Sequence, residues 1–533
     1  MTKTRLWWRD GAIYQIYPRS FVDSNATGIG DLNGIISRLA YLQELGVEAI
    51  WLSPIYPSPD VDFGYDVSNY TAIDARFGTL ADFDRLVVEA HRRGIRVVLD
   101  LVLNHTSDQH PWFTESRKSR ENAFSDWYMW RDPRPGGKQP NNWQSVFGGS
   151  GWEYEPARRQ YYFHMFYQQQ PDLNWRNPKV RQAMLDVFQF WLERGVDGFR
   201  LDVFNVYFKH ADFLDNPRKW GLRGFDRQRH LYDADQPEMI PLLREVRKLL
   251  DAYQERYVVG ETFLSSPQVA ARYTGADMLH ASFNFEFMAR RWHPKPFLRS
   301  IQRWEAALSP DAWPNYVLNN HDVRRSASRY GKGEDDERLK VAAALLLTQR
   351  GTPFLYYGEE IGMRDISLAR SELKDPIGRR YWPIYKGRDG CRSPMQWDDS
   401  PHAGFSAGVP WLPVHPNYVQ RNVAAQQANP SSLYHFYRRL LALRKQVPAL
   451  VEGVFLPLTY DPRLVLGYLR QTVDQTVLVG LNFSGRPISL ALGAELTRSN
   501  WTLLLSNQRD ELDAKASSSL RLAPNEACIL LRQ

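Results

Sequence analysis

The octapeptide GFRLDVFN, Gly198 to Asn205, sets an acid, Asp202, at the end of a short apolar run that reads as a buried β-strand. Two other runs end the same way, with Glu261 in VVGETF (Val258 to Phe263) and Asp322 in VLNNHD (Val317 to Asp322). Burying an unpaired acid is costly, so three acids repeated at strand termini call for a reason beyond packing. The C-terminal ends of strands are where an α/β barrel presents its reactive groups.

Outward from this strand the same rhythm continues. AIYQIY (Ala12 to Tyr17), VEAIWL (Val47 to Leu52) and RVVLDLVL (Arg96 to Leu103) precede it, and YVVGE, DMLHASFNF, YVLNN and PFLYYGEE follow, with helical stretches between most of them. Between the second and third strands Leu80, Phe83, Val87 and Ala90 share a helical face, and Gly94 stands where a helix stop is expected. Eight strands alternating with helices predict a (β/α)8 TIM barrel, with an open doubly wound sheet as the alternative. Residues 105–172 break the rhythm, being rich in Trp, Tyr, Pro, Gly, Asn and Gln without a helical period. They read as an irregular domain inserted after the third strand. After about Pro448 short alternating strands (VFLPLTY, RLVLGYLR, TVLVGLNFS, WTLLLS, ACILL) predict an antiparallel β-sandwich domain. The expected division is thus residues 1–104 and 173–450 for the barrel, 105–172 for the insertion and 451–533 for the C-terminal domain.

Composition narrows the class. The net charge of +7 comes from 67 basic and 60 acidic residues spread along 533 positions, which argues against a nucleic-acid partner. Two cysteines, Cys391 and Cys528, give no disulfide framework. The start, MTKTRLWWRDGAIYQIYPRS, lacks the apolar stretch of a signal peptide, and no run approaches the roughly 20 apolar residues of a membrane span. A soluble, cytoplasmic protein with no membrane partner is expected. The 18 Trp, 27 Tyr and 26 Phe supply flat faces that stack on sugar rings, although most will be core.

In this setting DLVLNHTS (Asp100 to Ser107), GFRLDVFN, VGETF and LNNHD, in order on successive strands, make the chain resemble the glycoside hydrolases of the α-amylase family over nearly its full length. The residues also argue for themselves. Cleaving an acetal requires a proton for the leaving oxygen and a nucleophile or negative charge beneath the anomeric carbon, which two carboxyls supply. Arg200, two residues before Asp202 on the same strand face, is expected to keep that carboxylate ionised as nucleophile. Glu261, in an aromatic setting, is expected to hold a proton as acid/base. The resemblance implies the same two roles and assigns transition-state stabilisation to Asp322, contacts with sugar hydroxyls to His105 and His321, and retention through a covalent glucosyl-Asp202. Asp100 reads as support for Arg200.

The resemblance further implies an exo-acting pocket. Asp62 and Tyr65 in DVDFGYDV and Arg392 in CRSPMQW match residues that close the pocket around the terminal glucose, with the Asp and Arg paired to each other and the Tyr stacked on the ring. A surface ion pair is the alternative for Asp62 and Arg392. QPDLNW (Gln170 to Trp175) takes the form seen in the oligo-1,6-glucosidase and α-glucosidase branch, and Phe147 and Phe166 resemble aromatics lining its subsites. Val203 after the nucleophile is the type associated with α-1,6 cleavage. Short α-glucosides are the expected substrates, with transglucosylation at high sugar. A sugar isomerase or synthase using the same triad, and a non-catalytic transporter partner or sugar-binding protein, are the competing readings. Either a monomer or a homodimer is compatible with the sequence.

No organic cofactor is expected. In DSNATGIGDL (Asp23 to Leu32), Asp23, Asn25, Thr27 and Asp31 alternate as oxygen donors around two glycines, a pattern able to wrap a hard cation. The resemblance implies a structural Ca²⁺ or Mg²⁺ there, using also the main-chain oxygen of Ile29, with Thr27 standing where an Asp is common. An Asx-rich turn is the alternative.

Overall fold

A computed structural model describes residues 5–263, 265–458, 463–512 and 518–533. Thr459 and Tyr460, the end of the expected strand VFLPLTY, lie outside them, as do residues 1–4.

Eight parallel strands form one sheet: β1 (Ile13–Ile16), β2 (Ala49–Leu52), β3 (Arg96–Leu101), β4 (Gly198–Leu201), β5 (Tyr257–Gly260), β6 (Ala281–Ser282), β7 (Asn315–Val317) and β8 (Thr352–Tyr356). Their order, β7-β8-β1-β2-β3-β4-β5-β6, is that of a barrel wound once around its axis. Consecutive residues point to opposite faces of a strand, which divides the apolar residues into two sets. Ile13, Ala49, Trp51, Val98, Tyr257, Val259, Val317 and Phe354 fill the interior. Ile50, Leu52, Val97, Leu99, Phe199 and Val258 join the larger layer between strands and surrounding helices.

The helices start where their caps dictate. Thr79 and Asp82 form a reciprocal capping box at Leu80–Arg92, and Asn177 caps Pro178–Glu193, where proline occupies a position needing no amide donor. After β3 the chain leaves the barrel and builds a three-stranded antiparallel sheet from Trp130–Arg131, Trp152–Glu155 and Gln160–Phe163. It returns through Asp172 and Leu173, which bridge to His105 and Tyr128.

From Val454 onward a five-stranded antiparallel sheet and a two-stranded one, Ile488–Ala491 with Ser519–Leu522, pack face to face. Gly467 and Gly480 leave room between them for Leu490, Leu520 and Leu522. The opposite face of the larger sheet lies on the barrel, where the Tyr468 hydroxyl meets Thr348 and Gln349. Cys391 and Cys528 are buried free thiols. Among the described residues no helix is long and apolar enough to cross a membrane.

Candidate active site

Period-2 alternation puts Asp100, Arg200 and Asp202 on the inward side, and strand register does the rest. Asp100 lies opposite Arg200 across the β3–β4 ladder, and Arg200 lies opposite Val259, two residues before Glu261. The guanidinium of Arg200 sits over the Trp51 ring, its centre 5.2 Å from the ring centroid. Its Nη1 donates to Asp100 Oδ1 at 2.6 Å and to Asp202 Oδ1 at 2.7 Å, while Nη2 meets Glu261 Oε2. One buried cation therefore gathers three carboxylates.

The expectation that Arg200 keeps Asp202 ionised meets a stronger opposing effect. Burial pushes the Asp202 carboxyl up to about 6; Arg200 pulls it down and the neighbouring Asp100 raises it further. Glu261, expected in an aromatic setting, has its carboxylate against Arg200 instead.

Asp322 follows β7 by five residues and is the most accessible of the acids, its side chain 33% exposed against 9% for Asp202 and 10% for Glu261. Burial works against its charge, but the Arg392 and Arg388 guanidiniums, with the His321 N–H beside them, hold its carboxyl well below the usual range. Beside it His321 is kept neutral by burial, its imidazolium pushed down to about 3. Gln15 Nε2 lies 2.8 Å from His321 Nδ1, which assigns the ring proton to Nε2, 2.7 Å from the Tyr65 oxygen and 3.2 Å from Asp322 Oδ2. Tyr65 in turn donates to Asp100 Oδ2 at 3.0 Å and stacks parallel on His321, the centroids 5.3 Å apart. His105 lies on the other side, with Nε2 3.0 Å from the Tyr65 carbonyl and its ring 5.2 Å from that of Phe166.

One sequence-based pairing is overturned. Asp62 does not pair with Arg392; its Oδ1 accepts from Arg388 Nη2 at 2.7 Å. Arg392 turns the other way and donates to Asp322 Oδ1 and to the His321 carbonyl, both at 2.8 Å. The reason is local: Asp389–Arg392 is a single 3₁₀ turn, and Arg388 at its N-cap and Arg392 at its end leave it in different directions. Both stand in the stretch GRDGCRSPMQW, so the motif located the region without distinguishing them. Arg388 also caps the face of Phe147, 5.4 Å from its centroid, and its Nη1 approaches Asp322 Oδ1 to 3.6 Å.

Two further residues were not singled out from the sequence. Gln170, in the quoted QPDLNW, reaches Asp62 Oδ2, the Tyr65 carbonyl and His105 through its Nε2. Lys209, fully buried, joins Asp172 and the Asn104 oxygen beneath His105. Its position seven residues after Asp202 was its only sequence signal. Val203 adopts φ 36°, ψ 39°, a strained conformation for a β-branched residue, and its side chain packs in the cluster of Phe147, Phe166 and Phe263.

The expected cation loop is stitched by its own hydrogen bonds. Asp31 accepts from Ser24 N, Ser24 Oγ and Gly34 N, capping the next helix, and Asp23 accepts from Asn25 N, Gly28 N and Ser406 Oγ. Asn25 Oδ1 accepts from Thr27 N, and the Thr27 hydroxyl donates to the Ile29 carbonyl at 3.3 Å, so two of the five expected ligands are turned on each other. Among the described residues no group of three or more His, Cys, Asp or Glu side chains is placed to hold a metal. The loop's own hydrogen bonds are those of an Asx-rich turn.

The alpha amylase catalytic-domain model matches residues 15–453. A probable alpha-glucosidase of Rhizobium meliloti (strain 1021) is 46% identical over 496 residues, 90% of each chain. An oligo-1,6-glucosidase of Parageobacillus thermoglucosidasius is 41% identical over 559, 98% of each. Among solved structures, the alpha-glucosyl transfer enzyme XgtA superposes with a TM-score of 0.93 at 42% identity, covering 99% of this chain and all of the other. The trehalulose synthase MutB from Pseudomonas mesoacidophila MX-45 gives 0.90 at 34%, with the same coverage.

Proposed function

Because the chain belongs to the alpha-amylase family and is a glycoside hydrolase acting on α-glucosides, we propose that it removes single glucose units from the ends of short α-glucosides, with retention and through a covalent glucosyl-Asp202. The observation that carries the exo reading is the Asp62–Arg388 ion pair, whose guanidinium comes within 3.6 Å of Asp322. The pocket thereby ends one residue pair beyond the acids. Paired, buried, charged groups there bind the outer hydroxyls of one glucose and reject a chain that continues.

In this reading Asp202 Oδ attacks the anomeric carbon while Glu261 protonates the departing oxygen; water deprotonated by Glu261 then releases glucose. Two carboxyls that share one guanidinium fit the roughly 5–5.5 Å separation of retaining enzymes better than the roughly 6.5–9.5 Å of inverting ones. Arg200 limits the cost of ionising Asp202 in a buried site. Asp322, His321 and His105 take the sugar hydroxyls. The named relatives support this reading, oligo-1,6-glucosidases among them.

Val203 beside Phe147 and Phe166 favours α-1,6 links, and the likeness to an alpha-glucosyl transfer enzyme and to trehalulose synthases favours transfer to sugar acceptors as a second outcome of the same intermediate. We take the chain as divided at 105–172 and 451–533 from the barrel. A panel of isomaltose, maltose and sucrose with product identification tests the whole reading. Preferred release of glucose from isomaltose is expected; a clear preference for maltose sinks the linkage assignment, and isomerised disaccharide as the main product replaces hydrolysis with rearrangement. Asp202→Asn is expected to lower turnover by at least about 10³-fold.

A further inference from the structure

Asp375 stands at the N-cap of the short helix Pro376–Tyr381, where an aspartate ordinarily turns its carboxylate onto the first free amides. Here it makes no such bond. Fully buried, it points back along its own loop and grips Arg388 three times: Oδ2 accepts from the Arg388 amide at 2.8 Å and from Nε at 3.0 Å, and Oδ1 from Nη2 at 3.1 Å. That two-pronged grip fixes the plane of the guanidinium. The remaining hydrogen on Nη2 meets Asp62, and Nη1 is left facing Asp322. The loop is closed behind it, since Asp389 Oδ2 accepts from the amides of Lys374 and Asp375. Nothing in this arrangement touches the reacting atoms, yet the direction of Arg388 depends on it.

We propose that Asp375 is the positioning residue of the pocket's closed end, holding Arg388 so that its free donors meet the outer hydroxyls of the terminal glucose. The inference rests on the exo reading given above and deepens it. An aspartate that forgoes helix capping to orient a buried arginine makes the specificity for a single terminal glucose a property of the loop 374–389, in addition to the Asp62–Arg388 contact itself. A merely structural aspartate would support the loop without altering which sugar hydroxyl is read.

The test compares p-nitrophenyl α-D-glucoside with its 4-deoxy analogue, which lacks the hydroxyl across the ring from the anomeric carbon. The wild-type enzyme is expected to favour the parent by at least about tenfold in kcat/KM, as for a lost hydrogen bond to a charged group. Asp375→Asn is expected to raise KM for the parent about tenfold, with kcat changed less than about threefold, and to bring the two substrates within about threefold of each other. Arg388→Gln should collapse the ratio in the same way, and the double variant should differ from Arg388→Gln alone by less than about twofold. Should Asp375→Asn not fold, Asp375→Glu, which keeps the charge and displaces the grip, is expected to reduce the ratio partially. An unchanged ratio in a variant whose kcat or Tm has fallen overturns the proposal. A wild-type enzyme indifferent to the 4-hydroxyl overturns the exo reading first, and the proposal with it.

Discussion

The acid limb of the pH profile is the sharpest consequence of the buried carboxylate cluster. In the proposed mechanism Asp202 must be ionised to attack, and burial pushes its carboxyl up to about 6. One unit below that value about a tenth of the enzyme is in the reactive form, so kcat/KM is expected to fall about tenfold from its plateau at pH 5 and about a hundredfold at pH 4. The perturbation is Asp100→Asn. Asp100 and Asp202 take hydrogen bonds of 2.6 and 2.7 Å from the same nitrogen, so their oxygens lie about 5 Å apart at most. At an effective dielectric of about 20 two such charges repel by roughly 3 kcal/mol, and one pKa unit corresponds to about 1.4 kcal/mol.

Removing that charge, and leaving Arg200 to be shared only by Asp202 and Glu261, both favour the carboxylate. The limb should move down by about one unit or more. The assay is kcat/KM for p-nitrophenyl α-D-glucoside from pH 4 to 8, with residual activity checked after return to pH 7. Unfolding does not mimic the result through this group. Its folded pKa is raised above the roughly 3.9 of an unfolded aspartate, so the stability it contributes is fully present below pH 4 and is lost as pH rises through 6. A wild-type limb below about pH 4.5, or an upward shift in Asp100→Asn, refutes the reasoning.

Three further outcomes follow from the same structure. Glu359, buried after β8 and hydrogen-bonded by Tyr437 and Asn319, is raised by burial to about 7, so the stability it lends is present below an ordinary glutamate's range and lost as pH passes 7; Glu359→Gln should raise Tm at pH 8, by up to about 3 kcal/mol of stability, and leave it nearly unchanged at pH 5. Lys209→Met should cost about 3–5 kcal/mol in denaturant unfolding by stranding the buried Asp172, and Asp172→Asn added to it should recover part of the loss. Because the Asp23–Asp31 loop is closed by its own hydrogen bonds, a chelator should leave Tm within about 1 °C, and a larger drop would restore the structural cation.

What could be read in the chain alone was whatever depends on near neighbours. Alternation with a period of two determines that Arg200 and Asp202 share a face, the eight apolar runs separated by helical stretches point to an α/β sheet that is either a barrel or doubly wound, and the ends of those runs locate Asp202, Glu261 and Asp322. Tertiary structure decided how the acids differ. Burial, a property of the whole fold, raises Asp202 despite its adjacent arginine, and the register of β3 against β4 makes Asp100 a party to the same charge. The partners of Asp62 and Asp322 were decided at the same level. Arg388 and Arg392 are four residues apart in one motif, and only the path of a 3₁₀ turn and the grip of Asp375 send the first to Asp62 and the second to Asp322. Hydrogen-bond partners 326 and 70 residues apart along the chain leave no periodic trace in it; they are chosen by where the loops run once the barrel has formed.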